Sequence, residues 1–225
     1  MDFFNNKKRV VQRAIVSAVA SSLIAFNSFA STSEDYEKAL TAFNQNEYDE
    51  AYIHLKNSLQ KDPENLAAKI LMGEILLING YLTAAEMEFV EALEMGADIN
   101  LLAEPLGNTW LFLNRYQEIV DFSDLNKLSG DAEREWLMIR ATACIRLQDE
   151  SCALRDYNTI VSRTPNFVPA INGLASIALQ NENLSKATSL INKAMSLEPE
   201  NAITWRLKGQ LAYRQGDTDA ATAHL

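Results

Sequence analysis

Small and large apolar residues recur along the chain after residue 31 with a period of 34 residues. If position 1 of the repeat is placed at Thr32, five further repeats begin at even spacing, at Leu66, Asn100, Arg134, Val168 and Ala202. Position 8 is Gly or Ala in all six repeats, and position 20 is Ala in five of them. Position 24 is a large residue in every repeat except the third. Because equivalent positions stay aligned over this length, the pattern indicates one structural unit that is repeated without insertion or deletion.

Each repeat is predicted to form two antiparallel helices. Gly or Ala at positions 8 and 20 lets the two helix backbones approach closely, and the large residue at position 24 fills the remaining space. Pro at position 32 ends the second helix in three repeats, at Pro63, Pro165 and Pro199. Positions 14 to 16 hold Gly, Asn or other polar residues, which suit the end of the first helix. The pattern therefore predicts an all-α protein built from helical hairpins.

These columns resemble the tetratricopeptide repeat (TPR), most clearly in AYIHLKNSLQKDPEN, GYLTAAEMEFVEALEMG, LSKATSLINKAMSLEPEN and WRLKGQLAYRQGDTDAA. The resemblance covers residues 32–225 and implies a right-handed α-solenoid. Its repeats are 32–65, 66–99, 100–133, 134–167, 168–201 and the partial 202–225. The third repeat is degenerate, with Ile119, Ser123 and Asp131 in place of the usual residues and Pro105 in its first helix. Because the last repeat stops within its second helix, we expect the chain to be a fragment of a longer repeat protein or to end at an arbitrary boundary.

Members of this family turn positions 2, 5, 9, 12 and 13 of their first helices into a concave groove that binds a protein or peptide. The resemblance implies a groove that is apolar at its N-terminal end and rich in amides at the other. The residues expected to line it are Tyr36, Phe43, Leu77, Asn108, Leu111, Met138, Asn172, Arg206 and Tyr213. An alternative stays open, in which the apolar residues at position 12 pack against the next hairpin and meet no ligand.

Some TPR proteins hold acidic chaperone tails with a clamp of Lys and Asn at fixed places. The corresponding positions 5 and 9 of the first two repeats here are Tyr36, Leu40, Ile70 and Glu74. The clamp is absent, which disfavours an acidic chaperone tail as the partner.

The first 30 residues have the layout of a secretory signal peptide. Four basic residues and one acidic residue accompany the apolar stretch 14–26, and the small residues Ser28 and Ala30 follow it. We predict cleavage between Ala30 and Ser31 and a periplasmic or secreted protein. No Cys follows the junction, so a lipoprotein is not expected. The alternative is an uncleaved N-terminal membrane anchor, for which the stretch is short.

Composition narrows the possible chemistry. The chain has 225 residues, with 20 Lys and Arg against 30 Asp and Glu, and its net charge of −10 disfavours nucleic acid as a partner. With two Cys and two His there is no ligand set for a structural zinc, and we expect neither a metal nor another cofactor. Neither a catalytic triad nor a phosphate-binding loop is present, so we expect no enzyme activity.

Cys144 and Cys152 lie at positions 11 and 19 of the fourth repeat, nearly equidistant from its turn. In an exported protein they are placed to form a disulfide between the two helices of the hairpin. The alternative is a small core residue at Cys144 and a partly exposed thiol at Cys152.

Together these features predict a non-catalytic, exported TPR scaffold. The first two repeats, with LKNSLQKDP followed by ALEMGAD, resemble long TPR proteins of exosortase (PEP-CTERM) and exopolysaccharide export systems. That resemblance implies association with envelope export machinery. Two alternatives remain: a periplasmic assembly factor for pili, outer-membrane proteins or cytochromes, and the TPR arm of a larger enzyme that continues beyond Leu225.

Overall fold

The computed structural model describes residues 34–217. The predicted signal peptide, its cleavage point and residues 218–225 of the last repeat lie outside the described residues. Between residues 34 and 217 the structure contains eleven α-helices, one 3₁₀ helix and no strand. This confirms the predicted all-α fold.

The helices follow the 34-residue period. The first helices of the repeats are α1 (Glu34–Asn44), α3 (Leu66–Ile78), α5 (Ile99–Phe112), α7 (Gly130–Arg146), α9 (Val168–Gln180) and α11 (Ala202–Arg214). The second helices are α2 (Tyr48–Lys61), α4 (Leu82–Glu94), α6 (Tyr116–Val120), α8 (Glu150–Arg163) and α10 (Leu184–Leu197). Each of these first helices ends at position 13, and each of these second helices begins at position 17.

The turn inside each hairpin has the same geometry throughout. Position 15 has a positive φ, between 56° and 84°, in all six repeats, at Asn46, Gly80, Asn114, Gln148, Glu182 and Gly216. The backbone N–H of position 16 then donates to the carbonyl of position 11 over 2.8 to 3.0 Å in every repeat. This left-handed residue with a bond back across the last helical turn is a Schellman motif, which ends the first helix and reverses the chain.

Small residues at positions 8 and 20 lie where the two helices of a hairpin meet. The alanines at these positions, Ala39, Ala51, Ala85, Ala141, Ala153, Ala175 and Ala187, are completely buried. A Cβ atom added to Gly73 would lie 2.4 Å from the ring of Phe89, which is itself fully buried at position 24. The large residue at position 24 thus occupies the space that the small residue at position 8 leaves.

The third repeat departs from the others in its second helix. Helix α6 has only five residues, and a 3₁₀ helix (Ser123–Lys127) follows it. Ile119 still packs fully buried at position 20, but Ser123 provides no large side chain at position 24 to hold a further helical turn. The Oδ1 atom of Asn100 on α5 accepts a hydrogen bond from the backbone N–H of Ser129 and ties the irregular segment to α5.

The chain forms two compact units, with the boundary between Glu135 and Trp136 inside α7. In the N-terminal unit, one continuous core includes Phe43, Leu55, Leu77 and Phe89. The C-terminal unit has a cluster around Ile191 and Leu207 and a smaller one around Ile171. Among the described residues, no helix combines the length and the apolar character needed to cross a membrane.

The left-handed turn residues give a stability prediction. Non-glycine residues pay about 1 kcal/mol or more for the left-handed conformation, and glycine avoids this cost but loses more backbone entropy on folding. Glu182→Gly should therefore stabilise the protein by roughly 0.5 kcal/mol, and Gly80→Ala should destabilise it by about 1 kcal/mol. A Cβ at Gly80 would meet no atom within 4 Å, so the stability change of Gly80→Ala measures the backbone conformation and not a steric clash. Urea unfolding monitored by circular dichroism measures both changes. A lower unfolding midpoint for Glu182→Gly would contradict the prediction.

Candidate functional site

The residues predicted for the groove in the N-terminal unit are largely packed. Phe43 and Leu77, at position 12 of their repeats, are 7% and 4% exposed and belong to the core, and Tyr36 packs against that core. Phe43 and Leu77 therefore contribute to the core of this unit, and their contact with a ligand stays a prediction. Asn108 and Leu111 on α5 are half-buried.

The predicted residues of the C-terminal unit differ in their availability. Asn172 on α9 is buried, and its Nδ2 atom donates to Oγ1 of Thr204 on α11 over 3.0 Å. The amide therefore links consecutive repeats, and its contact with a ligand stays a prediction. Met138 is half-buried, Arg206 is exposed and Tyr213 is 70% exposed.

A cleft of about 230 Å³ lies between α7 and α9 in the C-terminal unit. Most of its lining comes from positions 9, 12 and 13 of these two first helices, which are positions that the family resemblance assigns to the groove. The lining residues are Thr142, Ile145, Arg146, Tyr157, Gly173, Ser176, Ile177 and Gln180. None of them is among the nine groove residues predicted above, although the repeat register identifies Thr142, Ile145 and Ser176 as members of the same columns.

Tyr157 reaches the cleft from the second helix α8 because Gly173 leaves room for its ring. A Cβ atom on Gly173 would lie 2.5 Å from that ring. Burial raises the pKa of Tyr157 above the usual value for a phenol, and a side-chain hydrogen bond with Thr142 opposes the rise. The phenol therefore stays neutral at physiological pH. Hydroxyl, amide and guanidinium groups thus line the cleft together with two isoleucines, which suits a peptide with both polar and apolar parts.

Two cross-links hold α7, one wall of the cleft, against α8. Cys144 and Cys152 are joined as a disulfide, with their Cα atoms 5.8 Å apart. The guanidinium of Arg140 donates two hydrogen bonds to the carboxylate of Asp156, of 2.7 Å from Nε and 2.6 Å from the terminal nitrogen. Asp156 is fully buried, so this bidentate pair is shielded from water.

Cys144, Cys152 and Asp156 are the described residues whose ligand atoms come close enough together to suggest a metal site. In this structure the two sulfurs are bonded to each other, and both carboxylate oxygens accept hydrogen bonds from Arg140. The cluster as it stands therefore offers no free ligand atom to a metal.

The N-terminal unit carries a different feature, a pair of buried acids on its first helices. Glu74, at position 9 on α3, is 4% exposed, and burial raises its pKa to about 8, with the charge of Glu104 adding to the rise. Glu104, at position 5 on α5, has a pKa raised to about 7 by burial and by Glu135, against a smaller opposing effect of Arg134. In the sequence, Glu74 marks only the absence of a chaperone clamp, because position in the repeat does not reveal depth of burial.

The raised pKa of Glu74 makes stability depend on pH. A group whose pKa is higher in the folded state contributes stability below its unfolded pKa, and that contribution is lost as the pH rises through the folded pKa. Between pH 5 and pH 8, the free energy of unfolding of the wild type should therefore fall by on the order of 2 kcal/mol more than that of Glu74→Gln. Urea unfolding at pH 5, 7 and 8 measures this, with Glu94→Gln at an exposed site as the control. Equal pH dependence in wild type and Glu74→Gln would contradict it.

Comparison with known proteins adds to this geometry. A family model described as tetratricopeptide repeat matches residues 36–99 and 172–225, more than half of the chain. A crystal structure of a tetratricopeptide repeat protein from Parabacteroides merdae is 22% identical, with a TM-score of 0.72 over 85% of this chain and 76% of that one. The crystal structure of PilW, titled a widely conserved type IV pilus biogenesis factor, is 19% identical, with a TM-score of 0.71 over 88% of this chain and 91% of PilW.

A relative in sequence is the DnaJ homolog subfamily C member 7 homolog of Dictyostelium discoideum, which is 26% identical over 171 residues. The match covers 74% of this chain but only 28% of that longer protein. The repeated helical hairpins, the family match and the structural likenesses agree with one another. The chain belongs to the tetratricopeptide repeat family, whose fold generally serves as a non-enzymatic scaffold for protein interaction.

Proposed function

We propose that this chain is an exported, non-catalytic scaffold that binds a segment of a partner protein in the cleft between α7 and α9. The observation that carries the proposal is the lining of that cleft. Both first helices contribute positions 9 and 13 to it, and these residues supply hydrogen-bonding groups beside the apolar side chains of Ile145 and Ile177. A repeated surface of this kind matches the repeated backbone of an extended peptide.

The size of the cleft favours a peptide over a small molecule. Its volume of about 230 Å³ is below the roughly 300–1,000 Å³ that small-molecule and cofactor sites occupy. A space of this size holds one or two side chains of a longer ligand, whose backbone then runs along the helices. Arg146 and Gln180 are exposed beside the cleft and offer donors to such a backbone.

Two features support export. The first 30 residues have the layout of a cleaved signal peptide, and the disulfide between Cys144 and Cys152 is of a kind that persists in oxidising compartments. If the chain is exported, its partner is a protein of the cell envelope or a secreted protein.

For the system that the scaffold serves, we favour exopolysaccharide and PEP-CTERM export, on the resemblance of the first two repeats. An assembly role in pili is the second candidate. It is favoured by the likeness to PilW over nearly the whole length of both chains, which at 19% identity is a likeness of fold. The remaining alternatives are a role in outer-membrane protein or cytochrome assembly and attachment to an enzyme domain. Only the sequence supports them.

Blocking the cleft should abolish peptide binding. Peptides selected from a random displayed library against the full chain provide the ligands, and isothermal titration calorimetry measures their affinity. Ser176→Trp should weaken binding at least tenfold because the indole fills the space between α7 and α9. Ser189→Trp, at an exposed position of the second helix α10, should bind as wild type does. Undiminished binding by a Ser176→Trp variant with a normal thermal unfolding midpoint would refute the cleft as the site.

Export makes a separate prediction. When the full chain is expressed in a Gram-negative host, the periplasmic fraction should contain a protein that begins at Ser31, because the signal peptidase removes the leader. N-terminal sequencing or intact-mass spectrometry measures the new terminus. Recovery of the uncleaved chain from the inner membrane would instead support the anchor alternative and contradict cleavage.

A further inference from the structure

One of the first helices of the N-terminal unit carries a buried carboxyl group, one oxygen of which has no hydrogen-bond partner among the described residues. Glu74 on α3 is 4% exposed, and its Oε2 atom accepts no hydrogen bond from any residue between 34 and 217. Burying a carboxylate oxygen without a donor costs free energy, because water no longer solvates it and nothing replaces that water. The structure thus contains an acceptor that its own described side chains leave unsatisfied.

The charges around Glu74 do not compensate it. Glu104 lies on α5, which packs directly against α3, and its charge adds to the effect of burial in raising the pKa of Glu74. Burial raises the pKa of the Tyr36 phenol on α1, and the charges of Glu37 and Glu74 add to this rise. Arg134 acts on Glu104, but its guanidinium already donates to Asp131 over 2.6 Å and to Glu135 over 3.0 Å.

The fold does not require an acid at this position. Position 9 is Leu40 in the first repeat, and in the later repeats it is a neutral polar residue, such as Asn108, Thr142 or Ser176. Leucine at position 9 packs against the core of the same N-terminal unit. A residue that costs stability where an apolar residue fits points to a functional role.

We propose that Glu74, with Glu104 beside it, receives a cationic side chain of the bound partner, a lysine or an arginine. This inference rests on the proposed function, because it assigns a second contact to the partner that the scaffold binds. A cation would favour the ionised form of Glu74, which burial and the charge of Glu104 disfavour in the free protein, and would satisfy the free oxygen as the carboxyl proton passes to solvent. Hydrogen-bonded ion pairs are stronger at a site that is largely shielded from water than on a solvent-exposed surface.

The surroundings favour an organic cation over a metal ion. Half-buried apolar residues occupy positions 5 and 9 of α1, at Tyr36 and Leu40, and position 5 of α3, at Ile70. Such residues accommodate the alkyl stem of a lysine or arginine while its charged end reaches the carboxylate. A calcium ion takes six to eight oxygen ligands, and the two carboxylates here supply only a part of such a shell.

Direct titration with small cations tests the inference. The probes are Nα-acetyl-lysine amide and Nα-acetyl-arginine amide, with Nα-acetyl-norleucine amide as the uncharged control for the lysine stem. The full chain carries ¹³C-labelled glutamate, and Glu74→Gln assigns the carboxyl signal of Glu74. Both cations should shift this signal saturably at pH 7.5, and norleucine amide should not. Glu74→Gln should weaken lysine amide at least tenfold and Glu104→Gln about threefold, whereas Glu94→Gln should bind as wild type does.

Several outcomes would overturn the inference. These are equal binding of lysine and norleucine amides, unchanged affinity in both Glu74→Gln and Glu104→Gln, or a stronger response of the Glu74 signal to calcium chloride than to either organic cation. If peptide binding that depends on Ser176 persists while the cation titration fails, only this inference falls. If lysine amide binds at Glu74 but no peptide binding depends on Ser176, the proposed cleft falls instead.

Discussion

Close contact between the two helices of each hairpin is the constraint on which the rest of this structure depends. Alanines at positions 8 and 20 are fully buried at that contact, and at Gly73 even one added carbon would overlap the ring of Phe89. A small residue on one helix and a large residue on the other therefore determine how the hairpin closes. Because the contact uses positions 8, 20 and 24, positions 9 and 13 of α7 and α9 remain available to line the cleft, where Ile145 of α7 and Tyr157 of α8 join them.

Features that depend on local geometry could be predicted from the sequence. The turn at position 15 requires a left-handed residue, and Gly or Asn occupies it in four of six repeats. The short α6 follows from Ser123 at position 24, because a small polar residue there provides no apolar contact for a longer second helix. The all-α fold and the family assignment depend on the same columns. These residue preferences can be recognised in the sequence because they recur at the same positions every 34 residues.

Availability of the first-helix residues could not be predicted in the same way, because it depends on what the neighbouring hairpins cover. Phe43 and Leu77 are packed into the core, and the amide of Asn172 bonds to Thr204 in the next repeat. The cleft instead depends on Gly173, which admits the ring of Tyr157 from another helix. Glu74 likewise differs from the exposed glutamates in its depth of burial, which cannot be deduced from its position in the repeat. For Cys144 and Cys152, spacing left two alternatives, and the structure joins the pair.

We propose that the partner contacts the first helices and the ring of Tyr157 in the cleft, whereas the exposed residues of the second helices make no contact with it. Site-specific photocrosslinking in cells that export the protein tests this most directly, with benzoylphenylalanine placed at one position at a time. Gln180 represents the first-helix side, and the exposed Asn158 on α8 and Ser189 on α10 represent the second helices. We predict crosslinks to the same partner from Gln180 and none from Asn158 or Ser189. Crosslinks from Asn158 and Ser189 but not from Gln180 would contradict the claim.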